Sequence, residues 1–271
     1  PSLFNLPANS NYSFIEGDVS QIDLKPVFFG ADVVIHLAAI TDAAGSINKA
    51  EELEANNFQS TLRVAEACIE ADASLIAISS TSVYGTQKDQ VDENCSDSEL
   101  QPQSPYATTK LKEEELIANL SKDKGLKAIH CRFGTIFGAS QGMRFHTAVN
   151  KFCWQAVMNQ PISVWTTAYD QKRPYLDLLD ASRAIAFIIK NNIFDGQIYN
   201  VLTSNATVRQ VVDTIKEFVP NLEIEFVDNQ IMNQLSYEVL CQRFKSKGFV
   251  FSGNMRRGIK ETIDLLKYAN K

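Results

Sequence analysis

The sequence predicts an α/β protein built on a doubly wound parallel sheet, with a smaller α/β lobe packed against it. Three observations carry that prediction. Short apolar runs alternate with helix-length segments through the first half of the chain. The runs are largely apolar, as strands covered on both faces require. The second half keeps the alternation with shorter strands, and no repeat or low-complexity linker separates the two halves.

Residues 12–15 read as a short strand, followed by Gly17, Asp18 and Val19. Residues 32–38 (DVVIHLA) form a continuous apolar run and predict a strand buried on both faces. In 48–71, Leu53, Phe58, Leu62 and Ala65 recur at three- to five-residue intervals, which predicts a helix. Residues 74–79 (SLIAIS) are the next buried strand, and the polar stretch 86–104 reads as a loop. Pro105 suits the first turn of a helix that runs to about Leu120 and is closed by Gly125. Residues 126–132 are a further strand. This order implies right-handed crossovers and a parallel sheet, with ligands bound beyond the carboxyl ends of the strands. The chemistry is therefore expected after Ala38, after Ser79 and after Arg132.

In the second half, helices are predicted near 145–160, 180–191, 207–219 and 254–269. Strands are predicted near 162–164, 175–176, 198–201 and 223–226. The lobes interleave: residues 1–140 with about 174–202 form a dinucleotide-binding domain, and about 141–173 with 203–271 form a substrate-binding lobe.

The composition is that of a folded globular chain of 271 residues, 45% apolar and 21% charged. A net charge of −6 argues against nucleic acid and against anionic membrane surfaces as partners. No run approaches the roughly 20 apolar residues of a membrane span, and the first residues lack the pattern of a secretory signal. Five cysteines without a C-x-x-C pair, and three histidines far apart, give no metal site. Reduced thiols and a cytoplasmic protein are expected. His36, His130 and His146 read as structural.

Tyr106 and Lys110 form Y-x-x-x-K, which places both on one helical face about a turn apart. An ammonium beside a phenol favours phenolate, so the tyrosine pKa is expected to fall into a range useful for proton transfer. Ser80, at the tip of the strand 74–79, offers a hydroxyl at the mouth of the same site.

HLAA at 36–39, SSTSVYG at 79–85, SPYATTK at 104–110 and RFGTIFG at 132–138 follow one another, each at a strand end or on the helix after it. The series resembles the extended short-chain dehydrogenase/reductase superfamily, in particular its NAD-dependent nucleotide-sugar epimerases and dehydratases. Arg173, Asp180, YNV at 199–201 and TVRQVVDTI at 207–215 extend the match over essentially the whole chain. The resemblance implies a Rossmann-like fold, NAD as cofactor, a nucleotide sugar as substrate and a homodimer formed through the helices 48–71 and 105–120. It casts Tyr106 as the proton-transfer group, Lys110 as the group that tunes it and binds the nicotinamide ribose, and Ser80 as the assisting hydroxyl. Leu37, Ala38 and Ala39 would line the dinucleotide, with Ile40 and Thr41 continuing the wall. Asp18 and Val19 would contact the adenine, and Asn57 would support the site from the long helix. Ser80, Thr81, Thr135 and Arg173 would meet the substrate, the arginine at its diphosphate.

The sequence departs from the family pattern at its front. The family opens on a strand, a G-x-x-G-x-x-G turn, a helix and a second strand, yet no two glycines here stand two or three apart. The family's N-terminal part is thus missing from the sequence, and a parent longer by roughly 40–50 residues is expected. A sheet without those strands would not bind a dinucleotide tightly. The residue that separates NAD from NADP ends the second strand, so both stay open. Thr135 stands where an asparagine is frequent, and Arg173-Pro174-Tyr175-Leu176-Asp177-Leu178 replaces a frequent R-D-[FY]-[IV]-H-V. Thr81-Ser82 stands where the dehydratases carry Asp-Glu, which counts against elimination of water. An epimerase acting at C4 through a transient keto sugar is therefore expected. A reductase or dehydratase of a nucleotide sugar or small carbonyl compound comes second, and a non-catalytic relative third.

Overall fold

Four parallel strands organise the first lobe of the computed structural model, which describes residues 11–41, 50–85, 89–228 and 236–270. In chain order the elements begin with α1 (Lys25–Phe28), β1 (Val33–His36), α2 (Ala50–Ala71), β2 (Ser74–Ser80) and β3 (Gln90–Val91). Then come α3 (Pro105–Lys124), β4 (Ala128–Phe133), β5 (Thr135–Phe137), α4 (Ala148–Val157), β6 (Ile162–Trp165) and β7 (Lys172–Asp177). The chain ends with α5 (Leu178–Lys190), β8 (Ile198–Val201), β9 (Ser204–Thr207), α6 (Val208–Lys216), β10 (Ile224–Val227), β11 (Glu238–Val239), α7 (Gln242–Ser246) and α8 (Met255–Leu266).

The main sheet has the order β1-β2-β4-β8, all parallel. Alternation along β2 shows why it is doubly wound. Leu75 and Ala77 face the helices α2 and α3, in a core with Val64, Cys68 and Ile117. Ile76 faces the opposite way, with Ile129, Ala184, Ile188 and Phe244 of the other layer. The second lobe gathers β5-β7-β9 and the pair β6-β10 around a core of Phe137, Phe152, Val164, Val211 and Ile259, with α4, α6 and α8.

Several expectations shift. Residues 12–15 are not a strand: no described strand lies beside them to complete a ladder, and Tyr12, Phe14 and Ile15 are exposed. The apolar run 32–38 is a strand only over Val33–His36, and it is not covered on both faces. Among the described residues it pairs with β2 alone, at the edge of the sheet, and Ile35 is 39% exposed and Leu37, just past the strand, 63%. The stretch 86–104 is not simply a loop, because β3 pairs with β11 and a capped turn spans Asp97–Glu99; residues 86–88 lie outside the described ones. So do residues 48 and 49 at the start of the long helix.

The expected lobe boundaries also shift: β7, expected with the first lobe from residue 174, pairs in the sheet of the second. Phe137, placed with the first lobe, packs in the second core, and Phe244 and Phe249, placed with the second, pack under the main sheet. In both cases a large aromatic ring follows the nearest apolar layer rather than the chain. No helix among the described residues is long and apolar enough to cross a membrane.

Candidate active site

Two local features bring the strand tip and the helix start together. Ser80 ends β2 in extended backbone, and its Oγ accepts hydrogen bonds from the Ser82 N–H at 3.1 Å and the Ser82 hydroxyl at 2.8 Å. This caps a single turn over Thr81–Val83. The chain then runs through Tyr84 to Gly85, where a Cβ would lie 1.9 Å from the Gln101 carbonyl oxygen, so only glycine lets the following loop close over the turn. That loop ends at Ser104, whose Oγ accepts the Ala107 N–H at 3.2 Å and starts α3 with Pro105 in its first turn. Gly125, left-handed with φ 72°, closes the helix.

Tyr106 and Lys110 therefore lie in the opening turns of α3, against the strand tip. The Tyr106 phenol lies near the Ser80 hydroxyl, which favours its phenolate form. Lys110 is buried, with Nζ 5.9 Å from the centre of the Tyr106 ring. The structure thus brings Ser80, Tyr106 and Lys110 to one place. It reverses the expected direction of the tyrosine pKa, however. Burial pushes the phenol well above its ordinary value and the charge of Glu113 pushes it further, while the Ser80 hydroxyl pulls the other way. The Lys110 ammonium is paired with the Glu113 carboxylate at 2.8 Å.

The wall after β1 is built by one side chain. Asn57 of α2, 1% exposed, accepts the Ile40 N–H on Oδ1 at 2.8 Å and donates Nδ2 to the Ile40 carbonyl at 2.9 Å. Its amide pairs with the loop as a neighbouring strand would, and so holds Leu37, Ala38 and Ala39 at the sheet's carboxyl edge. Leu37 and Ala38 are exposed there, Ala39 and Thr41 half-buried, and small side chains leave the backbone open to a flat ligand. The Thr41 hydroxyl accepts from Arg144 at 2.7 Å, a cross-link to the segment before α4. We expect Asn57→Ala to lower stability by about 1–3 kcal/mol, since it strands both polar groups of Ile40. Denaturant unfolding, with faster hydrogen exchange at the Ile40 amide, is the check.

Other predicted residues are placed differently. The exposed Asp18 carboxylate accepts from the Ser20 hydroxyl at 2.7 Å and the Ser20 N–H at 2.8 Å, which depress its pKa, and from Gln21 at 3.3 Å. It is engaged in its own turn, while the Val19 carbonyl is held by Arg63 of α2 at 3.3 Å. Thr81 points inward: it is buried, and its hydroxyl donates to the Phe133 carbonyl at 3.2 Å. Thr135 opens β5 opposite Tyr175, two residues along β7 from Arg173. The Arg173 guanidinium donates to the Lys172 carbonyl at 2.9 Å and to the Gln171 side chain at 2.6 Å, and desolvation lowers its pKa.

Beneath the site lies a buried ionic layer that sequence reasoning missed. Arg132 of β4 grips Glu114 of α3 bidentately, Nε to Oε1 at 2.9 Å and Nη2 to Oε2 at 2.6 Å. Its Nη1 donates to the Tyr84 hydroxyl at 3.0 Å, which donates to Asn200 of β8 at 2.9 Å. Ser79, next to the strand tip, donates to Glu114 as well. His36, read as structural, is buried with Nε2 3.1 Å from the Thr61 hydroxyl. Burial and then the Lys110 charge push its pKa down to about 4, so it is neutral. The signal for the layer was present in the sequence, because Glu113 and Glu114 fall three and four residues after Lys110 and so return to its face of the helix.

The family model of the NAD dependent epimerase/dehydratase family matches residues 2–201. The chain is 28% identical over 269 residues to a trifunctional enzyme of Arabidopsis thaliana, RHM2. That enzyme is named UDP-glucose 4,6-dehydratase, UDP-4-keto-6-deoxy-D-glucose 3,5-epimerase and UDP-4-keto-L-rhamnose-reductase; the match covers 95% of this chain and 39% of the plant enzyme. It is 30% identical over 221 residues to the uncharacterized UDP-glucose epimerase YtcB of Bacillus subtilis, covering 80% of this chain and 67% of that protein. A crystal structure of UDP-glucuronic acid 4-epimerase from Bacillus cereus, in complex with UDP-glucuronic acid and NAD, superposes with a TM-score of 0.86 at 24% identity. It covers 97% of this chain and 83% of that one, and establishes the likeness of fold.

Proposed function

We propose, because this chain belongs to the NAD dependent epimerase/dehydratase family, that it epimerises a nucleotide-activated sugar at C4. The observation that carries the reading is Lys110 Nζ 5.9 Å from the centre of the Tyr106 ring, beside a strand tip that holds hydroxyls at 80, 81 and 82 and no carboxylate. NAD is the family's cofactor, and when bound it supplies hydride acceptance at the sugar carbon and hydride return.

The chain's own residues account for the rest. Tyr106 moves the proton at the C4 hydroxyl, as phenolate in one direction and phenol in the other. Ser80 holds that oxygen and the phenol in one hydrogen-bonded line. Lys110 offers its remaining N–H groups toward the ribose of the dinucleotide, and Leu37, Ala38 and Ala39 form the apolar wall fixed by Asn57. Asp18 and Val19 stand at the adenine end. Arg173 and Thr135, neighbours across β5 and β7, are the groups assigned to the substrate's diphosphate side. The companion homodimer assignment uses α2 and α3, which pack side by side.

Elimination of water needs an acid for the departing hydroxyl beside the strand tip. Thr81 and Ser82 supply none, and the Thr81 hydroxyl is already given to Phe133. A reductase, by contrast, would use the same Ser80, Tyr106 and Lys110. The reading is tested by incubating the protein with NAD in large excess, to fill a weak dinucleotide site, and UDP-glucose, UDP-N-acetylglucosamine or UDP-glucuronic acid, and following the sugar by proton NMR. Expected is the C4 epimer with no net change in nicotinamide absorbance. Stoichiometric oxidation of NADH or NADPH by a keto sugar would replace the epimerase with the reductase, and a 4-keto-6-deoxy product with the dehydratase.

A further inference from the structure

Glu113 stands beside the proton-transfer pair and has no part in the reaction just described. It lies on the helix face of Lys110, three residues on, and its side chain is 7% exposed. Oε2 accepts from Lys110 Nζ at 2.8 Å, and Oε1 has no hydrogen-bond partner. Both residues line a cavity of about 10 Å³ between α3 and the sheet, with His36, Ser79, Glu114 and His130. Each other ionisable group facing this layer is neutral or already matched. His36 of β1 and His130 of β4 are pushed by burial to about 4. Glu114 is matched bidentately by Arg132 of β4. Ser79 of β2 brings a hydroxyl, which is given to Glu114. Among the described residues, Glu113 is the carboxylate the structure sets against the Lys110 ammonium.

We propose that Glu113 is a positioning residue for the tyrosine: by holding the Lys110 ammonium in a buried ion pair, it withholds that charge from the Tyr106 phenol. In a desolvated layer a carboxylate at contact distance offsets most of the ammonium's field on a third group. The phenol is then governed by its burial, the nearby Ser80 hydroxyl and the Glu113 charge, which raises it. The tyrosine proton therefore leaves at a higher pH than Lys110 alone would set, and the length of the Glu113 side chain fixes where the ammonium sits under the ring.

This inference rests on Tyr106 being the proton-transfer group, and the experiment separates the two. The variants are Glu113→Gln, which keeps shape and removes charge, Glu113→Asp, which keeps charge, and Lys110→Met. Each is made with and without Tyr106→Phe, so that the difference in tyrosinate absorbance reports this phenol directly, without cofactor or turnover. The acid limb of kcat/KM is followed in parallel. In Glu113→Gln both midpoints are expected to fall by about 1–3 pH units, the effect of an ammonium freed beside an ionisable group. Glu113→Asp restores them toward the parent value, and Lys110→Met moves the phenol upward. A Glu113→Gln chain with native circular dichroism and an unmoved midpoint overturns the proposal, as does an aspartate variant that shifts as far as glutamine. Should Glu113→Gln fail to fold, a midpoint that stays or falls in Lys110→Met overturns it instead. Undiminished turnover in Tyr106→Phe sinks the catalytic reading and leaves the absorbance test of Glu113 standing.

Discussion

Tyr106→Phe is expected to lower kcat/KM by about 10²–10⁴-fold, the range that positioned proton transfer contributes. The substitution removes one oxygen. The ring is half-buried at the start of α3, and the helix keeps its Ser104 cap and Gly125 stop, so the fold is not at stake. What is lost is the titratable hydroxyl near Ser80 and Lys110. The sign of the pH dependence follows. Burial raises the phenol's pKa, so near neutrality the free chain holds it protonated. Oxidation of a sugar alcohol calls for the phenolate, and kcat/KM should rise from neutral toward alkaline pH. The phenylalanine chain should show a low rate without that rise, because the group that titrates is gone. Ser80→Ala removes a hydroxyl that orients the reacting oxygen but carries no proton away, so its loss should be smaller, and its alkaline rise should persist but move to higher pH because the hydroxyl that favours the phenolate is gone. Initial rates of C4 epimerisation across pH, with unfolding curves to show an intact chain, decide the matter. A phenylalanine variant within a factor of three of the parent would leave no role for the phenol.

The reach of the sequence follows from where each signal is local. The alternation of strands and helices was legible because apolar periodicity is set by each segment's own packing: residues 198–201 are a strand as predicted, and the long helices fall where their repeats lie. The convergence of Ser80, Tyr106 and Lys110 was legible because a strand end and the first turns of a helix are both marked in sequence. The direction of the tyrosine pKa was not. It depends on Glu113 and on depth of burial, and a spacing of four residues reports neither. Edges were equally hidden. The run 32–38 has the composition of a covered strand, yet Ile35 and Leu37 are exposed because coverage belongs to the neighbours, not to the strand. Thr81 has the same lesson on a smaller scale: its neighbours in sequence place it at the site mouth, and a bond to Phe133, 52 residues away, turns it inward.

Glu114→Leu is expected to cost about 3–5 kcal/mol of stability, the penalty for leaving one member of a buried ion pair without its partner. Arg132 of β4 is 2% exposed, and its layer joins Ser79 of β2, Glu114 of α3, Asn200 of β8 and Tyr84 just past β2. Without the carboxylate the guanidinium keeps a neutral Tyr84 hydroxyl at 3.0 Å, which cannot replace a bidentate carboxylate in a dry layer. Arg132→Met should cost a similar amount for the mirrored reason, since Glu114 would then be held by the Ser79 hydroxyl alone. The double variant Glu114→Leu with Arg132→Met removes both charges and leaves apolar groups of comparable length. It should recover a large part of either single loss, giving a coupling of several kcal/mol in a double-mutant cycle measured by denaturant unfolding. Additive losses would mean that the two groups do not share one layer. The same cycle bears on function, because Ser79 precedes the strand tip and Glu114 follows Lys110 by one turn of α3. A double variant that is stable yet slow, with the Ser80 and Tyr106 hydroxyls intact, would show that the buried pair holds strand tip and helix in register for proton transfer.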